Sequence, residues 1–190
     1  MTHWARNKEQ HIRAACRLAA LLFALNVTFS LTIHAQDDPP EVAPPPLKII
    51  SKTEKTRLEE RSSDLKGRTK LSLELMDLRL DAAEKFAGTK QFDLMFSELG
   101  GFHALMDESL EFLDRRDTGA NGKVLDNFKR IEIGLRGFSP RIETIRRELP
   151  IRYDDYVRKL MRFVREARTR ATEPLFSDSV LPNRRNGDNL

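Results

Sequence analysis

An uninterrupted series of apolar residues at helical spacing constrains the fold of this chain most strongly. Between Val124 and Leu149 the apolar positions follow one another at alternating intervals of four and three residues. This spacing places them on one face of an α-helix. Pro140 falls within the series, but the phase is the same on both sides of it. We therefore predict one helical axis with a local kink, or a re-start capped by Ser139.

Three other segments carry similar apolar stripes. Two interleaved series run along the second half of residues 51–87, which predicts burial against two neighbouring helices. The first half has only Leu58 and Leu65 among its charged residues, so we expect it to fray or project. Residues 92–113 and 152–172 each present one apolar face. No period-two alternation predicts strands, and the expected fold is all-α, an up-and-down bundle of about four long helices.

Glycines mark the predicted connections and one interruption. Gly88 is expected to end the first helix in the left-handed conformation, with Thr89 capping the next helix after a tight turn. Gly100 and Gly101 stand in the middle of that next helix. Adjacent glycines are unfavourable in a helix interior, so we expect either a bend or a very close neighbouring backbone.

The first 35 residues have the pattern of a secretory signal. Four basic residues accompany an apolar series that begins at Leu18, and the small residue Ala35 closes the segment. We predict cleavage after Ala35 and a periplasmic or secreted protein. The alternative is an uncleaved N-terminal membrane anchor, although residues 18–33 are fewer than the roughly 20 apolar residues that span a bilayer.

Removing residues 1–35 changes the composition. They contain four of the 33 Lys and Arg and one of the 29 Asp and Glu, so the formal charge falls from +4 to +1. A nearly neutral chain is a poor ligand for phosphate backbones, and we expect no nucleic-acid partner. The single cysteine, Cys16, also lies in this segment, so disulfide chemistry is not expected in the mature chain.

The remaining chain divides by composition. Residues 36–50 contain five prolines and predict an extended linker, serving as a spacer or as an accessible cleavage region. Residues 51–173 carry the helical stripes and form the predicted bundle domain. Residues 174–190 lack apolar spacing and predict a disordered tail.

Two weak metal-binding candidates survive removal of the signal. The segment from Asp117 to Asn121 resembles the start of an EF-hand loop, but Gly119 and Phe128 replace two required ligands. We therefore favour an interhelical loop. His103 is the remaining histidine, and a haem or metal would need a methionine as its second ligand, for which the candidates are Met76, Met95, Met106 and Met161. We favour a histidine at the rim of the bundle, hydrogen-bonded to Asp107.

The last predicted helix is strongly basic, whereas the helix at residues 92–113 is acidic. Four arginines form a candidate docking surface: Arg158, Arg162, Arg165 and Arg168. A basic helix beside an acidic one is also self-consistent within a bundle, so a purely structural face is the competing interpretation. A docking face would suit an acidic protein partner or an anionic component of the cell envelope.

No catalytic pattern appears in residues 36–190. The chain has no GxSxG, no HExxH and no Glu three residues before His103, and we predict neither enzymatic activity nor a cofactor. The resulting hypothesis is an exported, non-catalytic interaction or scaffold module. The alternatives are a metal-binding or haem-binding bundle and, if residues 1–35 are retained, a membrane-tethered component of an envelope complex.

Overall fold

The computed structural model describes residues 42–117 and 121–176, and within them it contains helices and no strand. The helices are, in chain order, α1 (Lys52–Glu59), α2 (Leu65–Gly88), α3 (Phe92–Asp114), α4 (Gly122–Arg147), α5 (Ile151–Thr172) and the short 3₁₀ helix η1 (Glu173–Phe176). The predicted all-α class is confirmed. The predicted signal at 1–35 and residues 177–190 of the predicted tail lie outside the described residues.

The segment at 51–87 forms two helices rather than one. Ser51 and Glu54 make a capping box that starts α1, in which each side chain accepts a hydrogen bond from the other residue's backbone N–H. Turns at residues 60–64 then interrupt the helix, and Asp64 caps α2 by accepting from the Gly67 N–H. The expectation that the first half frays or projects is wrong, because Leu58 anchors α1 with its side chain buried.

The connection between α2 and α3 is as tight as predicted, but its residues have other roles. Gly88 is still helical, and the left-handed residue is Lys90 with φ of 58°. The Gln91 N–H donates to the Phe86 carbonyl and the Lys90 N–H to the Ala87 carbonyl, a Schellman arrangement that needs positive φ at Lys90. The prediction that Thr89 caps α3 is also wrong, since its hydroxyl bonds back to α2.

Ion pairs between α2 and α3 show that these helices are antiparallel. Arg68, near the start of α2, pairs with Glu108 near the end of α3. Further along α2, Arg79 pairs with Glu98, which lies earlier in α3. Residue numbers therefore rise along one helix and fall along the other. This pair of helices has the most extensive packing in the described structure.

Helices α4 and α5 form the second antiparallel pair. Arg168 near the end of α5 contacts Glu132 in the first half of α4, whereas Asp154 at the start of α5 contacts Arg146 at the end of α4. Helix α4 continues through Pro140, so the predicted single axis is confirmed. The packing of α2 on α4 and of α3 on α5 joins the two pairs.

The core lies between these four long helices and α1. Phe102 of α3 and Phe138 of α4 meet edge to face, with ring centroids 5.7 Å apart. The largest fully buried side chains are Leu58, Met76, Leu80, Met95, Leu99, Phe102, Leu105, Met106, Leu110, Leu113, Phe128 and Ile131. In the ranges 42–117 and 121–176, no helix combines the length and apolar character needed to cross a bilayer.

Residues 42–51, which we call the strap, lie against the bundle. Their lack of helix agrees with the proline content, but the expected spacer geometry does not hold here. The Ala43 N–H donates to the Arg152 carbonyl at 2.9 Å, and Lys48 pairs with Asp107 at 2.7 Å. A Cβ added to Gly100 would lie 2.5 Å from the strap carbonyl of Leu47. Of the two alternatives predicted for the paired glycines, a bend or a close neighbouring backbone, the structure has the close approach, at Gly100.

Candidate functional site

The basic residues of α5 differ in the carboxylates with which they pair. Arg158 pairs with Asp154 one turn earlier in the same helix, and Lys159 pairs with Asp155 at 2.8 Å. Both cations remain exposed. Exposed pairs at this spacing contribute roughly 0.3–0.5 kcal/mol each and leave the cation accessible from solvent. Arg158 is therefore accessible, but its charge is already balanced within α5.

Arg168 has a structural role. Its guanidinium donates to Glu132 of α4, whose side chain is only 8% exposed, at a distance of 3.0 Å. Arg136 holds the other oxygen of the same carboxylate at 2.7 Å. Burial by itself raises the pKa of Glu132, but the hydrogen bonds from Arg136 and Arg168 outweigh it and leave the pKa below the ordinary value.

Arg162 and Arg165 differ from the other basic residues of α5. Both are exposed, and neither forms an ion pair or a side-chain hydrogen bond within the described residues. The hydrogen bond from Lys159 lowers the pKa of Asp155 against the opposing effect of burial, and the charges of Arg158 and Arg162 add smaller contributions in the same direction as Lys159. The two arginines line a shallow cavity of about 460 Å³, whose other lining residues are Glu166, Thr169, Arg170 and Glu173. The predicted docking surface thus reduces to these two residues, flanked by Arg158.

His103 is buried rather than at the rim, contrary to the sequence-based prediction. Its ring packs on Phe163 with centroids 4.9 Å apart, its Nδ1 lies 3.3 Å from the Tyr156 hydroxyl, and its Nε2 lies 3.6 Å from an Asp107 oxygen. Burial lowers the pKa of His103, and Lys48 acts in the same direction, whereas Asp107 opposes them. Both ring nitrogens therefore face protein groups.

The other metal candidates occupy ordinary positions. Asn121 is the N-cap of α4 and accepts a hydrogen bond from the Lys123 N–H at 3.2 Å. Asp117 lies just before residues 118–120, which are outside the described part. Of the methionines proposed as ligands, Met76, Met95 and Met106 are buried in the core, and Met161 is partly buried. Across residues 42–117 and 121–176, no cluster of three His, Cys, Asp or Glu side chains is arranged to hold a metal ion.

The structure reveals a network around Arg141 that the sequence reasoning missed. Arg141 of α4 contacts three carboxylates of α2: Asp77 at 2.5 Å, Asp81 at 2.6 Å and Glu84 at 2.7 Å. The hydrogen bond to Glu84 contributes most to the raised pKa of Arg141. The acidic residues lie at helical spacing on one face of α2, a pattern that indicates a cationic neighbour without identifying it.

A second network joins α1, α2 and α3 beneath the strap. Arg79 of α2 donates to both carboxylate oxygens of Glu54 in α1 and to Glu98 in α3, at 2.7–3.0 Å. Its guanidinium lies over Gly101, where an added Cβ would approach it to 3.0 Å. The pKa of Arg79 is raised, since the hydrogen bonds to the two glutamates outweigh the effect of burial. This arginine therefore links three helices.

Comparison with protein-family models, curated proteins and solved structures gives no significant match. The geometry itself defines the class, an all-helical bundle whose elements are joined by arginine-carboxylate networks. Most arginines in these networks connect one helix to another. The candidate functional site therefore consists of cationic side chains that have no carboxylate partner in these networks.

Proposed function

We propose that this protein is an exported, non-catalytic interaction module that binds an acidic protein partner through Arg162 and Arg165 of α5. The observation that supports this proposal is that some arginines of α5 pair with carboxylates of other helices and others do not. Arg168 and Arg170 pair with carboxylates of α4 and α3, whereas Arg162 and Arg165 have no such partner in the described residues. Their charge remains available to another molecule.

The spacing of these two arginines suits recognition of carboxylates. Residues three apart lie on the same helix face, so Arg162 and Arg165 project in similar directions. A guanidinium can hold a carboxylate through two parallel hydrogen bonds, which gives both affinity and orientation. Arg158, one turn earlier, is exposed beside them, but its charge is balanced by Asp154. Charged residues at the edge of an interface mainly increase the rate of association and exclude wrong partners.

Export in this proposal rests on the pattern of residues 1–35. Basic residues followed by an apolar stretch and a small residue are typical of a cleaved secretory signal. An intact mass that begins at Gln36 in protein from the native compartment is the expected result. A mass that includes residues 1–35 would instead favour the membrane-tethered alternative.

Docking is tested by reversing the two arginines and comparing the proteins retained from the native compartment. We expect Arg162→Glu with Arg165→Glu to lose a partner that the natural chain retains, because the local charge becomes repulsive to an acidic surface. Arg168 stays unchanged in this variant, since its substitution would disturb buried Glu132. The matched control is Lys70→Glu with Lys85→Glu, which reverses two exposed cations on α2.

The control has the same change in net charge on a helix that does not contact α5. It should retain the partner, and both variants should keep the melting temperature of the natural chain within a few degrees. Identical sets of retained proteins for all three forms would mean that the α5 face is structural only, and the proposal would fail. Loss of the partner in both variants would show an effect of overall charge rather than a docking site.

A further inference from the structure

A second basic region lies at the end of the bundle where α2 and α4 begin and α3 ends. A cavity of about 790 Å³ opens there. Five of its lining side chains are cationic: Lys66, Arg115, Arg116, Lys123 and Arg130. Two are acidic, Asp64 and Asp126. The cavity therefore has an excess of positive charge, although the domain as a whole is nearly neutral.

Neutral groups hold two of the arginines in place. The guanidinium of Arg116 lies 3.9 Å from the centroid of the Phe112 ring and donates to the Ser62 carbonyl at 2.8 Å. Arg130 donates to the side-chain oxygen of Asn127 at 2.7 Å. These partners fix the position of each guanidinium without cancelling its charge. Arg79 and Arg141, in contrast, are balanced by carboxylates.

Asn127, which accepts the hydrogen bond from Arg130, is itself held in place. Asn127 is buried, and its side-chain nitrogen donates to the Lys123 carbonyl at 2.7 Å within the first turns of α4. The Asn127 oxygen is therefore oriented toward Arg130. Such preorganisation reduces the entropy that a ligand must remove when it binds.

The lysines of the cavity are free of ion pairs. Lys66 and Lys123 are exposed, and neither contacts a carboxylate in the part of the chain that the structure describes. Of the acidic lining residues, Asp64 accepts a hydrogen bond from the Gly67 N–H as the cap of α2. Arg115 pairs with Glu111 at 3.7 Å, but both side chains are largely exposed. The five cations thus outnumber the two lining carboxylates and Glu111, which leaves an excess of positive charge.

One helix end reinforces this field. The N-terminus of a helix has a partial positive charge, and its C-terminus has a partial negative charge. Helix α4 has the neutral Asn121 as its N-cap and no acidic residue in its first turn, so its N-terminus adds to the field of the cationic side chains. The Asp64 carboxylate at the N-cap of α2 and the C-terminus of α3 act in the opposite direction.

We infer that this cavity binds a small anion with more than one phosphoryl group. Its volume falls within the range of about 300–1,000 Å³ that is usual for small-ligand sites. Cations distributed around such a space match several phosphoryl oxygens better than one monovalent anion, and arginine binds these oxygens through two hydrogen bonds. Free oligophosphates and the headgroups of lipids with more than one phosphate share this chemistry. The site is separate from the docking surface on α5.

Calorimetric titration with inorganic pyrophosphate at low ionic strength tests the inference on the full natural chain. We expect saturable binding with one pyrophosphate per chain. Lys66→Gln with Lys123→Gln should weaken it about tenfold or more, because each exposed lysine loses a charge-assisted hydrogen bond. The control, Arg162→Gln with Arg165→Gln, removes the same charge from α5 and should change the affinity by less than about twofold.

Absence of saturable pyrophosphate binding to the natural chain would overturn the inference. Equal weakening in the two double variants would also overturn it, since it would reflect net charge alone. Sedimentation with cardiolipin-containing vesicles, whose anionic lipid carries two phosphates, distinguishes the source of the ligand. Retention that pyrophosphate competes away, and that only the cavity variant loses, supports a lipid headgroup. Pyrophosphate binding without retention supports a free oligophosphate.

Discussion

Glu132 illustrates why single residues in this protein cannot be assigned a role from sequence alone. It lies in a basic context, three residues from Lys129 and four from Arg136, and its position on the helix indicates only partial burial. In the structure its carboxylate is buried and joins α4 to α5 through Arg168. The same contact removes Arg168 from the predicted docking surface. Sequence reasoning found the four arginines but could not separate structural from available charges.

We predict that Glu132→Gln destabilises the fold in a pH-dependent way. Near pH 7 the loss should be about 1–3 kcal/mol, because Arg136 and Arg168 lose their common counter-charge. The pKa of Glu132 is lower in the folded state than in the unfolded chain, so its stabilising effect is present above the unfolded value of about 4.3. That effect disappears as the pH falls through the folded pKa. Urea denaturation at a series of pH values measures it.

The control for this prediction is Glu74→Gln, on an exposed residue of α2 that forms no ion pair in the described chain. Its stability should match that of the natural protein within about 0.5 kcal/mol at each pH. A difference between Glu132→Gln and the natural chain that stays constant down to pH 2 would contradict the charge argument. It would indicate that packing around the side chain accounts for the loss.

At the scale of elements, periodicity predicted α3 and α4 well and the burial of α2 against two neighbouring helices, but it missed the break between α1 and α2. The α4 series continues through Pro140 because its apolar face stays on the core, with Phe138, Ile142 and Ile145 all buried. The break at residues 60–64 has no proline or glycine to mark it. It depends on α1 turning back to place Leu58 in the core and on the capping of α2 by Asp64. Such a break is a consequence of tertiary packing.

Pro140→Ala is expected to stabilise α4. Proline in a helix interior is about 3 kcal/mol less favourable than alanine, and the substitution restores the N–H that can donate to the carbonyl of Arg136. About 1 kcal/mol of this is offset, because the unfolded chain gains conformational freedom. A net increase of about 1–2 kcal/mol in the free energy of unfolding should follow. A decrease would show that contacts across α4 depend on the geometry that proline imposes.

At the scale of the whole molecule, the strap packs across the bundle and connects α5, α3 and α1. It begins beside Arg152 at the start of α5, passes Gly100 in α3 and continues into α1 beside Arg79. The proline content correctly indicated a segment without helix. Its docking could not be predicted from composition, because it depends on a glycine that lies far away in the chain.

Two glycine substitutions test the docking of the strap. Gly100→Ala should lower the free energy of unfolding by about 1–3 kcal/mol, since its Cβ would approach the Leu47 carbonyl to 2.5 Å and backbone must move. Gly137→Ala in α4 should raise it by about 1 kcal/mol, because its Cβ would meet no atom within 4 Å and alanine favours the helix. Chemical denaturation measures both variants.

Amide hydrogen exchange in the strap provides a second measurement. The Ala43 N–H, which donates to Arg152, should exchange faster in Gly100→Ala and at an unchanged rate in Gly137→Ala. If both substitutions stabilised the protein equally, the strap contacts would have no energetic importance. The effect of Gly100 would then be helix propensity alone.

The sequence by itself determined the helical class and the core faces of α3, α4 and α5. These properties follow from local periodicity and from the steric limits of each residue. Only the tertiary structure decided which charges are balanced. Arg168 and Arg141 depend on carboxylates of another helix, whereas Arg162, Arg165 and Arg130 pair with none in the part of the chain that the structure describes. Ion pairing between helices depends on the distances between segments that are remote in the sequence, and helical periodicity gives no information about those distances.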